Sequence, residues 1–271
     1  MSNEALIRVS VFVAILAAMA AWEWLAPRRP CVDKKAARWF ANIGMVAIAT
    51  LLVRLLFPVT AVASAVFAQQ QGWGLFNLWS LPPWLAIAAA VVLLDLVIYF
   101  QHVLFHAVPA LWRLHMVHHS DRDFDASTGL RFHPIEIALS LCLKLAAIVA
   151  LGAPPVAVLI FEVLLNGITI FNHGNVALAP RLDRWLRLVV VTPEMHRVHH
   201  SVIARETNSN FGFNLPWWDR LFGTYRAQPQ AGHLGMRIGL TQFSHARLAL
   251  WPLLLLPFTG RTGDYAIGRR R

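Results

Sequence analysis

Three observations predict an all-α integral membrane fold carrying a histidine-rich cap. Of the 271 residues, 57% are hydrophobic and only 14% are charged, against roughly 25% charged in an ordinary soluble domain. Several apolar stretches approach or exceed the roughly 20 residues that a helix needs to cross the hydrocarbon core. The histidines recur at spacings of three and four, the period at which residues share one helix face. Together these predict one membrane-embedded body of about four to five apolar segments, two of them forming a helical hairpin.

Segment one runs from Ala5 to Ala26 and ends in a loop bearing Arg28, Arg29, Lys34, Lys35 and Arg38, so that loop is expected on the cytoplasmic side. Bulky residues stand where a cleavage site would need small ones, so the segment reads as an uncleaved anchor. Segment two, Trp39 to Ala68, leads to the uncharged, aromatic stretch QQQGWGLFNLWSLPP, which suits the outer interface. Segment three starts at Pro83 and returns with His102 and His106 at its end. Ile135 to Leu151 and Val156 to Phe171 form the hairpin legs, broken by Gly152, Pro154 and Pro155. The first leg is short for a full crossing.

An even number of legs returns the chain to the face it left, which places all twelve histidines on the cytoplasmic side. The arginine-rich stretch from Pro180 to Thr241 is expected as a cap of short helices, and the run Leu248 to Phe258 as an interfacial segment before a disordered basic tail. The chain thus divides into anchor helices over 1–82, a histidine-bearing domain over 83–245, and an interfacial segment with its tail over 246–271. The net charge of +10 is accounted for by positive-inside topology and anionic headgroups, and no nucleic-acid partner is expected. Cys31 and Cys142 lack any ligand spacing, so neither a disulfide nor a thiolate metal site is expected.

The histidines carry the chemistry. HxxxH (His102, His106) projects two imidazoles in one direction, and HxxHH does so with three in His115, His118, His119 and again in His196, His199, His200. A single first-row ion takes about four to six ligands, and imidazole suits Fe, Zn, Cu or Ni. Eight such nitrogens therefore point to two metals. His133 and His173 stand at no diagnostic spacing, and isolated His233 and His245 read as ordinary structural residues. Asp121, Asp123 and Asp125 alternate like a calcium loop but lack its glycine and closing glutamate. They are expected as a solvated loop or as partners orienting imidazole N–H groups. Asp95, Lys144, Glu162 and Arg54 lie within apolar segments, where internal pairing is expected.

The boxes HxxxH, HxxHH and HxxHH, with LWRLHMVHHSDRDFDASTGLRFHPIE, VTPEMHRVHHS and NFGFNLPWWDRLFGTY, resemble the fatty acid hydroxylase or sterol desaturase superfamily, especially its bacterial members. The likeness covers Leu93 to Tyr225. It implies two irons held by His102, His106, His115, His118, His119, His196, His199 and His200, with His133 and His173 as further ligands. Some relatives carry a histidine four residues before the position of His173, where this chain has Thr169.

The implied activity is a lipid monooxygenase that oxidises an unactivated C–H bond with O2, giving an alcohol, or an alkene if the enzyme is a desaturase. No glycine-rich cofactor fingerprint is visible, so electrons are expected from a separate ferredoxin, cytochrome or reductase docking on the basic face. An alkylglycerol-type, pterin-dependent ether lipid monooxygenase is a further alternative. A nitrogen-rich site also binds Zn2+ more tightly than Fe2+, so zinc can replace iron in purified protein. The non-enzyme alternative is a membrane metal-binding or transport protein, which predicts ligands in segments one and two, where there are none. The expected location is a bacterial inner membrane.

Overall fold

The computed structural model describes residues 4–79, 81–244 and 249–267; His245 and Arg269 to Arg271 lie outside them. The fold is all-helical, and the β pairing among the described residues consists of the isolated bridges Pro27 to Val176 and Ser201 to Ile238. The chain forms α1 (Glu4–Leu25), α2 (Lys35–Leu56), α3 (Ala61–Gln70), α4 (Leu75–Leu78), α5 (Pro83–Ala107), α6 (Pro109–His119), α7 (Pro134–Leu151) and α8 (Pro155–Asn172). The cap follows as α9 (Pro180–Leu186), α10 (Pro193–His199), α11 (Ala204–Thr207), α12 (Trp217–Leu221) and α13 (Gly232–Gly235), and α14 (Leu250–Thr259) returns to the membrane body.

Among the described residues, five helical runs are long and apolar enough to cross a membrane: α1, the run Lys35–Leu78, α5, α7 and α8. At 18 residues each, α7 and α8 are about 27 Å long, close to the roughly 30 Å hydrocarbon core. Large apolar side chains stand exposed along these helices, among them Leu6, Phe40, Leu55 and Trp84, as expected of surfaces that face lipid.

Segment two is not one continuous helix. Pro58 has no N–H to donate and pushes the preceding residue out of the helical region, and Phe57 accordingly sits at φ −127°, ψ 89°. The chain restarts at Thr60, whose side chain accepts from the Ala63 N–H. The short α3 then inserts Ala61 and Ala65 beside Ala153 and Ala157 in one buried cluster. Lipid tails offer no hydrophobic drive between helices, so such small residues stabilise packing by letting backbones approach. At the turn, a side chain on Gly74 would lie 2.0 Å from the Gly152 nitrogen, and Gly152 caps α7 in the left-handed region at φ 62°.

One end of every long helix lies beside the cap. Glu23 near the end of α1 accepts from the backbone N–H groups of Ala126 and Asn175 at 2.6 and 3.0 Å. Arg38 at the start of α2 donates to both oxygens of Asp121 at 2.8 Å and to Asp125 at 2.7 Å. Asp123 accepts from the N–H groups of Val32 and Asp33. The expectation for this acidic run is therefore corrected: it is buried, it clamps the loop after α6 to the loop before α2, and among the described residues its side chains hydrogen-bond to no imidazole. Its charges were spaced for an arginine that lies 83 residues away.

Within the membrane body, Glu162 pairs with Lys144 at 2.5 Å and with Arg8 at 2.9 Å. Asp95 accepts from the Trp218 indole at 2.8 Å and from the N–H groups of Asn214 and Leu215. Arg54 is exposed in the last turn of α2. The described part of the C-terminal segment packs inward, with Tyr265 and Ala266 in the same cluster as Trp112, Met116 and Leu256.

Removing one partner of a buried ion pair leaves a charge stranded, at a cost of about 3–5 kcal/mol. R38A is therefore expected to lower the thermal melting midpoint in detergent markedly. An unchanged midpoint would show that the acidic clamp does not hold the cap.

Candidate metal centre

A proline-marked break folds the first two histidine boxes onto each other. Val108 is extended at φ −90°, ψ 117°, as a residue before proline must be, and Pro109 opens α6 at its first position. The chain thereby reverses direction directly after His106, and α6 lays His115 and His119 over His102 and His106. Their ring centroids are 4.9 Å apart for His102 with His115 and for His106 with His119. In the cap, Thr192 caps α10 by accepting from Met195 N–H, with Pro193 again opening the helix. This short helix delivers the third box from the opposite side.

Nine buried histidines form two groups whose ligand atoms lie within 4.8 Å of one another: His102, His106, His115, His119 and His199 in one, and His118, His173, His196 and His200 in the other. Each HxxHH box is divided between them. The i, i+4 pair His115 and His119 enters the five-membered group while His118 enters the four-membered one. In the last box the roles exchange, with His196 and His200 in the four-membered group and His199 in the five-membered one. A triad read as one face thus serves two neighbouring centres, because the angular difference between i+3 and i+4 separates adjacent rings.

The nitrogens turned away from the groups are tied down. Nδ1 of His102, His199 and His173 each lies 2.7 Å from a carbonyl, of Phe211, Ser209 and Thr169 respectively. Nδ1 of His106 is 3.0 Å from Asn208 Oδ1, and Nδ1 of His115 is 2.6 Å from Glu136 Oε1. The contacts to carbonyl and amide oxygens require the ring to donate through Nδ1, and an ionised Glu136 requires the same of His115, which leaves Nε2 as a bare lone pair. The freed Nε2 atoms then converge: His102 and His115 approach to 3.1 Å, and His173 stands 3.2 Å from both His118 and His196. Nε2 of His106 and His199, and both ring nitrogens of His119 and His200, are buried without a hydrogen-bond partner.

Burial also sets the protonation state. It pushes His115 and His173 down to about 3 and lowers His118, His119, His196, His199 and His200 well below the ordinary imidazole value. Neutral rings with facing lone pairs are the form that binds a cation. Orphaned buried acceptors are costly without a partner, and a metal ion in each group satisfies them. The residues present therefore fit two metal ions.

His133 is not brought into either group. Its Nδ1 accepts from the Ile135 N–H at the start of α7, and its Nε2 lies 3.2 Å from the Leu254 carbonyl. Both nitrogens are thus engaged in capping the helix and holding α14. Among the described residues the two groups therefore contain nine of the ten expected ligands, and the residue before Pro134 caps α7 instead of pointing inward. His233 stands 2.9 Å from Glu194, outside both groups.

Sequence reasoning missed Glu136 and Asn208. Glu136 falls one turn into an apolar segment, and its signal was a carboxylate three residues after His133 in a stretch otherwise free of acids. Thr169, which marked a departure from some relatives, acts through its carbonyl on His173. Gly129 makes room for that contact, since a side chain there would lie 3.0 Å from the Thr169 carbonyl and 3.3 Å from His173 Nδ1.

Partners of a ligand's outer nitrogen fix the ring and raise its basicity, and losing one costs about 10–100-fold in metal affinity. E136A is expected to weaken metal binding within that range in a chelator competition. Affinity equal to that of the unsubstituted protein would remove Glu136 from the site.

Comparison with known proteins agrees with this geometry. The family model described as fatty acid hydroxylase matches residues 87–224. The chain is 30% identical over 231 residues to the ornithine lipid hydroxylase OlsE of Rhizobium tropici, covering 81% of this chain and 67% of that protein. It is 30% identical over 195 residues to the human alkylglycerol monooxygenase, covering 66% of this chain and 41% of that one, so it spans less than half of the monooxygenase. The rat cholesterol 25-hydroxylase is 25% identical over 154 residues. No solved structure matches the chain.

Proposed function

Because the chain belongs to the fatty acid hydroxylase family, we propose that it is a membrane-bound di-iron oxygenase that hydroxylates an unactivated C–H bond of a polar membrane lipid. The observation that carries this reading is the pairing of a five-histidine group with a four-histidine group through shared HxxHH boxes. Two adjacent nitrogen-rich sites suit a pair of iron ions. When bound, the irons supply the activation of O2 with electrons from an external donor.

The chain's own residues hold, orient and dry the site. His102, His106, His115, His119 and His199 would bind one iron, and His118, His173, His196 and His200 the other. Glu136, Asn208 and the carbonyls of Phe211, Ser209 and Thr169 keep the rings in one tautomer. Aromatic rings close the site to water: Phe132 stacks on His118 at 4.2 Å, Phe124 lies 5.5 Å from His173, and Phe213 lies 4.9 Å from His102 and 6.4 Å from His196. Excluding water protects a reactive oxidant from side reactions.

Phe132 and Phe213 are half-buried, and Phe213 also packs on the membrane cluster that contains Leu94, Ile98 and Phe161. We assign the approach of the lipid chain to this edge, where rings touching histidines of both groups meet the membrane body. The basic loop beside the cap favours a site on the cytoplasmic side by the positive-inside rule, in keeping with the proposed location in a bacterial inner membrane. Relatives named as hydroxylases and monooxygenases favour hydroxylation over desaturation.

Expression in a lipid-defined host should yield membrane lipids heavier by one oxygen atom, and H118A and H199A should each abolish that product while the protein still accumulates. Lipids lighter by two hydrogens would convert the reading to desaturation. Lipids unchanged by the wild-type chain, supplied with iron and a reductant system, would overturn it.

A further inference from the structure

Outside the histidine groups, a surface cavity lies over a buried aromatic pair that reaches them. The cavity has a volume of ≈ 410 Å3, and its lining includes Val202, Ala204, Thr241, Gln242, Asp264 and Tyr265. Tyr265 is only 4% exposed. Its hydroxyl donates to the Val202 carbonyl at 2.9 Å and accepts from the Thr241 N–H at 3.0 Å, which fixes the ring beneath the cavity floor. The ring stacks on Trp112 at a centroid distance of 5.9 Å. Trp112 is fully buried and stands 4.9 Å from His106 and 5.5 Å from His119.

A hydrogen-bonded path runs beside the rings. His106 Nδ1 donates to Asn208 Oδ1 at 3.0 Å, and Asn208 Nδ2 donates to the Tyr265 carbonyl at 2.7 Å. Two conjugated steps and one amide bridge therefore join the cavity to the five-histidine group. Aliphatic side chains would fill the same space in a purely structural core. Three arginines adjoin the cavity through the backbone: Arg205, whose guanidinium donates to Gln230, follows the lining residue Ala204, the Arg237 carbonyl accepts from the Val202 N–H, and the Arg261 carbonyl accepts from the Gln242 amide. All three arginines are exposed, as is Asp264, the one acid in the lining.

We propose that this cavity is the docking point of an acidic one-electron carrier protein, and that Tyr265 and Trp112 bridge its electron to the five-histidine group. The proposal rests on the di-iron oxygenase reading above. In the overall reaction R–H, O2, two electrons and two protons give R–OH and H2O, so two carriers are each oxidised by one electron per turnover. The electron crosses the rings by tunnelling, and neither ring changes its own oxidation state on average. Basic rim charges raise association with an acidic partner and make it salt-dependent.

The test uses the full-length, iron-loaded protein in nanodiscs and a reduced plant-type [2Fe–2S] ferredoxin as the probe, mixed without O2. The observables are ferredoxin affinity, the rate at which ferredoxin is oxidised, and iron content. Y265L is expected to slow that rate by an order of magnitude while iron content and reduction by dithionite stay unchanged, and Y265F is expected to stay within a factor of a few of the wild type. The triple reversal R205E, R237E, R261E is expected to weaken ferredoxin affinity and flatten its salt dependence. Undiminished electron transfer in Y265L, or unchanged affinity in the triple variant, overturns the proposal. Should Y265L shed iron, the surface reversal alone decides, with unchanged affinity again overturning it. A wild-type chain that binds no iron would strike the oxygenase reading instead, which separates the two failures.

Discussion

Nine imidazoles buried against one another cannot be protonated without bringing positive charges into contact, and as neutral rings with their outer nitrogens donating they present lone pairs face to face. The 3.1 Å separation between Nε2 of His102 and His115 holds two acceptors where a cation relieves them, and Nε2 of His173 lies 3.2 Å from those of His118 and His196. The surrounding structure can be understood as what keeps those rings in place. Glu136, Asn208 and three carbonyls fix the tautomers, and the acidic run after α6, clamped by Arg38, secures the loop that carries Gly129 against His173.

The membrane body serves the same end by geometry. Each long helix presents one end to the cap, so histidines from α5, α6, α8 and α10 meet at a single level. Pro109 reverses the chain between the first two boxes, and the short α10 brings the last box over the top. Pro83, Pro109, Pro134, Pro155, Pro180 and Pro193 all open helices, where a missing N–H costs nothing. The site thus stands between the membrane body, where Phe132 and Phe213 border it, and the surface cavity over Tyr265, the approaches proposed for a lipid substrate and an electron carrier.

Much of this was legible in the sequence because the relevant signals are local. Apolar length gave the long helices, and histidine spacing gave the boxes that the fold gathers into two groups able to hold metal. What was not legible depends on contacts between distant residues. Pro58 does divide segment two, but the role of α3 as a small-residue wedge needs α7 and α8 beside it. Asp121, Asp123 and Asp125 looked solvated because Arg38 is remote in sequence. His133 could not be separated from a ligand by spacing, since capping α7 depends on where the ring turns. The division of each HxxHH box between two groups is invisible to a helical wheel, on which three and four residues count as the same face. The inward packing of Tyr265 lay in a stretch whose short apolar run and basic end suggested only an interfacial tail.

The central claim is that nine histidines, divided five and four, hold two metal ions. A density map of the iron-loaded protein in nanodiscs, with the metals located by their scattering, tests it most directly. The account predicts two peaks, one within bonding distance of His102, His106, His115, His119 and His199 and the other of His118, His173, His196 and His200, with His133 still capping α7. A single peak shared by both groups, or a peak ligated by His133, would contradict it.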